Sequence, residues 1–109
     1  MKKLEQTEIV YRFACKGCSF KYVGESKRSL NTRLEEHINN KQKNSVVTLH
    51  KNDEHQFHWD NVKILDKEPN EKKRLISEMI YILNTKNTLN KQTDIDSLSR
   101  IYSNLFHSN

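Results

Sequence analysis

The apolar pattern of this chain changes period at Ser29, and that switch limits the folds open to it. Before it, Glu8 to Ala14 alternates and is rich in Ile, Val, Tyr and Phe, as a strand would be. Cys15-Lys16-Gly17-Cys18 then supplies turn chemistry, and Phe20 to Val23 resumes β-character until Gly24, where the strand is expected to break. The two runs read as a hairpin whose turn carries both thiols. After the switch, Leu30, Leu34 and Ile38 recur every four residues behind Ser29 as N-cap, which predicts a helix. A short helix is expected at Ser45–His50, and a third strand over Trp59 to Leu65 with Val62 and Ile64 on one side. Pro69 ends that strand. Glu71 then sits in the first turn of a helix running to about Asn84, where a carboxylate suits the helix dipole. Its apolar stripe is broad: Leu75, Ile76, Met79, Ile80, Ile82 and Leu83. Ile95, Leu98, Ile101, Tyr102, Leu105 and Phe106 mark a last amphipathic helix. The predicted order, β-β-α-(α)-β-α-α, describes an α/β fold with a small, three-stranded, mainly antiparallel sheet flanked by helices.

At 109 residues the chain is expected to form one domain, 1–109, whose modest core would gain from an added staple such as a metal. No apolar run reaches the length of a membrane span, and no hydrophobic signal core follows Met1-Lys2-Lys3. These features predict an intracellular protein with no membrane partner, in the cytoplasm or beside the nucleoid or nuclear DNA. The net charge of +5 is unevenly spread. Residues 1–51 carry eleven Lys and Arg against five acids, and residues 52–109 carry eight against nine. The basic excess thus lies where a phosphate backbone could be engaged, although surface charge of this size also serves solubility.

Several polar residues sit awkwardly for structure alone. Tyr11 and Tyr22 occupy the two strands of the hairpin, where a tyrosine ordinarily packs with its tip hydrogen-bonded. Arg33 and His37, four apart, share one face of the first helix beside its apolar stripe. Glu78 lies about 40° from Ile82 around the long helix, at the edge of its stripe.

Taken together, these residues resemble a known family. Ile9-Val10-Tyr11, Tyr22-Val23-Gly24, Arg33, His37, Glu78 and Asn90 look like the signature of the GIY-YIG endonucleases, over most of residues 9–91. The opening glycine of that signature is Ile9 here. The resemblance implies the GIY-YIG nuclease fold and phosphodiester hydrolysis in DNA, with RNA an open alternative. It gives Glu78 one divalent cation, Mg²⁺ or Mn²⁺, since a hard cation takes oxygen ligands and keeps several waters. Arg33 would grip phosphate with its planar fork. Tyr11 is the candidate general base, its phenol acidified by its neighbours. Tyr22 would orient water or phosphate, and His37 would assist proton transfer or contact phosphate. Lys21, Lys27, Arg28 and Asn90 are the expected substrate contacts.

The same comparison finds partners for the thiols. Cys15, Cys18, His50 and His55 form a C-x2-C … H-x4-H set suited to a closed, tetrahedral Zn²⁺ site. His58 competes with His55. Tyr22-Val23-Gly24-Glu25-Ser26, Arg28 to Arg33, His37 and His55-Gln56-Phe57-His58-Trp59 resemble the Cys-Cys-His-His variant found in Penelope-like retroelement endonucleases. A mobile element, a phage or a repair system would each suit such a protein. The expectation is a metal-dependent endonuclease that nicks with low sequence specificity, as a monomer or transient dimer on DNA. The competing expectation is a catalytically inactive, zinc-stabilised nucleic-acid-binding module.

Overall fold

A computed structural model describes residues 2–39, 47 and 56–90. Three strands, β1 (Ile9–Ala14), β2 (Lys21–Ser26) and β3 (Lys63–Lys67), form an antiparallel sheet in the order β2-β1-β3. Two α-helices, α1 (Leu30–Ile38) and α2 (Glu71–Asn84), accompany it, and a short 3₁₀ turn, Lys3–Glu5, precedes β1. The fold is therefore α/β, with the hairpin, α1, β3 and α2 in the expected succession. The helices expected at Ser45–His50 and Ile95–Phe106 lie outside the described residues, apart from Val47, which is fully buried in the core.

Alternation along β1 divides the core in two. Ile9, Tyr11 and Phe13 pack with Leu30 and Leu34 of α1, with Cys15, Phe57 and Val62 extending the cluster. Val10 faces the other way and packs with Val23 of β2 and with Met79 and Ile82 of α2. Each large apolar side chain fully buried in this way contributes roughly 1.5–3 kcal/mol.

The helices start where local chemistry says they should. Ser29 accepts a hydrogen bond from the Thr32 N–H at 3.2 Å, and Asn70 accepts one from the Lys73 N–H at 3.0 Å. Ser26 prepares the first of these starts: its hydroxyl donates to the Arg28 carbonyl and accepts from the Arg28 N–H, folding the chain from β2 into α1.

Three expectations need correction. β2 does not break at Gly24 but runs through it to Ser26, for the packing reason given below. β3 begins at Lys63 rather than Trp59, because the Asn61 N–H bonds back to the His58 carbonyl and spends that stretch on a turn. The strand also runs on to Lys67. Its register against β1 shifts between Val10 and Tyr11, leaving Leu65 as an extra residue that places both Leu65 and Asp66 toward α2. Third, the stripe on α2 is narrower than its sequence suggests, since Ile80 and Leu83 are exposed while Arg74 is buried.

Arg74 owes its burial to its partners. Its Nε donates to Glu25 of β2 at 2.7 Å, and one terminal nitrogen donates to the Glu68 carbonyl at 3.1 Å. This ties the first turn of α2 to β2 and to the segment that follows β3, and Glu78 follows one turn later on the same side of the helix.

Candidate functional site

The residues of the hairpin and α1 converge on the Tyr11 phenol. Arg33 Nε donates to its oxygen at 3.2 Å, and His37 Nε2 lies 2.9 Å from that same oxygen. Because the oxygen already accepts from Arg33, its own proton is best donated to His37, which makes Nε2 the acceptor nitrogen. Arg33 and His37 reach the phenol together because they stand one turn apart on α1, whose Leu30 and Leu34 seat it on this face.

Gly24 makes the arrangement possible. It lies opposite Tyr11 in the β1–β2 register. A Cβ built there would stand 2.6 Å from the Tyr11 hydroxyl oxygen and 2.8 Å from a ring carbon of Tyr22. Only a residue without a side chain lets both tyrosines close over that position. Tyr22 stacks obliquely on Phe13, with centroids 5.3 Å apart, and meets His37 edge-on at 5.4 Å. Trp59 lies nearly parallel to the His37 ring at 6.5 Å and also packs on Phe13.

Burial distinguishes the two phenols. Tyr11 is fully buried, and burial holds its pKa well above the ordinary 10.0, with the neighbouring Tyr22 and Glu78 raising it further and Arg33 opposing them. Burial thus favours the protonated phenol, and Arg33 alone acts against it within the protein, so Tyr11 as general base depends on a cation at Glu78. Tyr22 is half-buried and is the phenol with access to solvent. Burial weighs against the Arg33 charge, but Tyr11, Tyr22 and Glu36 outweigh it and raise the guanidinium above its ordinary value. Glu78, half-buried on α2, is close enough for its charge to act on Tyr11.

The expected substrate contacts divide. Lys27 and Arg28 are exposed just ahead of α1, where Arg28 pairs with Glu36. Asn90 is committed to the backbone: its carboxamide accepts from the Val23 N–H at 3.2 Å and donates to the Val23 carbonyl at 2.9 Å. These two bonds fix it to β2. Lys21 pairs with Ala14, so its side chain leaves the sheet on the face opposite Tyr11. Glu25 and Arg74, which hold α2 against the sheet, escaped the sequence argument. The one hint was a charged residue sharing an inward face with Val23.

At the hairpin turn, Cys15 is buried and Cys18 half-buried, and their thiols share a hydrogen bond. Burial and that bond raise the Cys15 thiol. The chain returns to this turn at Gln56 to His58: Lys16 N–H donates to the Gln56 carbonyl at 2.7 Å, His58 N–H donates to Ala14 at 2.8 Å, and Cys15 pairs with Phe57. Among the described residues no three His, Cys, Asp or Glu side chains gather as a metal site, and His50 and His55 lie outside them. Nor, among the described residues, is any helix long and apolar enough to cross a membrane. No protein-family model, curated protein or solved structure matches the chain.

Proposed function

We propose that the protein is a metal-dependent endonuclease of the GIY-YIG type, hydrolysing DNA phosphodiesters and nicking with low sequence specificity. The observation that carries this reading is the meeting of Arg33, His37 and Tyr11 at one phenol oxygen, within reach of the Glu78 charge. A purely structural cluster has little use for a guanidinium and an imidazole on a buried hydroxyl, because each polar group must be desolvated to reach it. The reach of the Glu78 charge to Tyr11 supports this reading over that of an inactive binding module.

In this mechanism Arg33 holds the scissile phosphate with its terminal nitrogens, while its Nε stays tied to Tyr11. Tyr11 fixes Arg33 and His37 relative to each other. Tyr22, as the phenolate, orients the attacking water at the solvent edge and takes up its proton, while His37 stays engaged by the Tyr11 hydroxyl. Glu78, a partly buried carboxylate with an oxygen donor set suited to a hard cation, would hold Mg²⁺ or Mn²⁺. That ion, when bound, neutralises phosphate charge and stabilises the departing 3′ oxygen. Zinc would be structural, held by Cys15, Cys18, His50 and His55. The adjacent thiols and the return of the chain at Gln56 support this set, with His58 as the rival of His55.

The test is nicking of supercoiled plasmid in Mg²⁺ and in Mn²⁺. The wild type should convert it to open circles, and Glu78→Ala should lose about 10³-fold in rate, the several kcal/mol that a metal contributes. An intact plasmid in both metals, or equal cutting by Glu78→Ala, overturns the proposal. For zinc, elemental analysis should find about one ion per chain, lost in Cys15→Ser/Cys18→Ser together with thermal stability.

A further inference from the structure

On the sheet face opposite Tyr11, Arg12 of β1 stands directly across from Lys63 of β3. Lys21 of β2, which pairs with Ala14, occupies the diagonal position on the same face. Like charges directly opposite each other on one face oppose sheet formation. A lysine on the edge strand β3 guards against strand pairing, but that purpose does not call for Arg12 directly opposite it. The acids of that face are engaged elsewhere. Glu25 is bonded to Arg74 at 2.7 Å, and Asp66 accepts from the Ser77 hydroxyl at 2.7 Å and the Lys67 N–H at 2.8 Å. Among the described residues, none of the three basic side chains makes a hydrogen bond or ion pair. Arg12 and Lys21 are half-buried and Lys63 is exposed, as expected of cations whose stems lie on the sheet while their heads reach water.

We infer that Arg12, Lys63 and Lys21 form an accessory phosphate-binding row for the backbone of the nucleic acid on which the protein acts. The partner class rests on the nuclease reading, but no catalytic residue is involved. Directly opposed residues lie about 5 Å apart and diagonal ones about 7–8 Å, so Arg12 and Lys63 can share one phosphate while Lys21 takes a neighbouring one. A bound phosphate turns the repulsion of the pair into a bidentate attraction. The row lies across the sheet from Tyr11 and so grips a stretch of backbone away from the scissile bond. It governs affinity, not the chemical step.

The experiment uses full-length protein carrying Glu78→Gln and a fluorescent DNA duplex of about 20 base pairs, titrated over a range of salt concentrations. Arg12→Gln/Lys63→Gln should weaken binding about tenfold or more at low salt and lower the slope of log K against log salt by about 2. In the cleavage-competent chain the same pair should raise KM with kcat unchanged. Lys63→Thr alone, the gentler change, should lower the slope by about 1 without lowering Tm. Lys72→Gln/Lys73→Gln, which removes equal charge from α2, should leave the slope as it was. Equal slopes for wild type and Arg12→Gln/Lys63→Gln overturn the inference, as does an equal loss in the α2 control. Wild type that binds with the expected slopes but never cuts supports the row and sinks the nuclease reading.

Discussion

On one face of β1, Tyr11 and Phe13 meet an arginine, a histidine and a ring of aromatics; on the other, Val10 meets Val23, Met79 and Ile82. The same six residues of backbone therefore serve two unlike cores. Aromatic rings and paired polar groups on the first face hold fixed geometry, because each has a partner in a set direction. Aliphatic side chains on the second face supply burial without direction. Fixed geometry and adhesion are thereby separated by the pleat of one strand, and α2 adjoins both, with Met79 in the aliphatic core and Glu78 near enough for its charge to act on Tyr11.

That contrast can be broken by substitution. Tyr22→Phe should slow nicking by roughly 10²–10⁴-fold, the range for losing a proton-handling group, whereas Tyr11→Phe should cost only about 10–100-fold as a positioning loss. Plasmid nicking rates decide it, and the reverse ranking would return the base to Tyr11. Across the sheet, Ile82→Ala should lower stability by about 2–5 kcal/mol in urea unfolding and leave kcat per folded molecule unchanged. A fall in kcat there would mean that the two faces are not separable. Gly24→Ala should affect both properties, losing about 1–3 kcal/mol through overpacking and most of its nicking activity.

The smallest effect is one of pH. Folded Tyr11 holds its proton above the ordinary 10.0 while the unfolded chain releases it, so its contribution to stability is intact below pH 10 and drains away above it. Wild type should therefore lose stability faster than Tyr11→Phe above pH 10, by at most about 1.4 kcal/mol per pH unit. Parallel curves in alkaline urea unfolding would show that burial does not hold the proton.

Much of the scaffold was legible in the sequence because its signals are local. The period change at Ser29, its cap, and the start of α2 after Pro69 each involve residues within a turn of one another. The start of β3 was not, since Trp59 has strand composition but packs sideways on Phe13 and His37 across a turn. The site was legible as a set of residue types and illegible as a geometry. Tyr11 and His37 are 26 residues apart, Arg74 and Glu25 49 apart, and no periodicity links either pair. Gly24 was read as a break because its empty side matters only once Tyr11 has arrived beside it.

Asn90 has a consequence of another kind. Its side chain presents a carbonyl and an N–H to Val23 as an adjoining peptide would, while Asn87 and Leu89 satisfy the N–H and carbonyl of Lys21. The rim of the sheet beside Tyr22 is thus closed by a few residues and one carboxamide standing in for a fourth strand. A stray strand from another molecule finds no free ladder there to extend. A single side chain thus leaves that edge shut to aggregation.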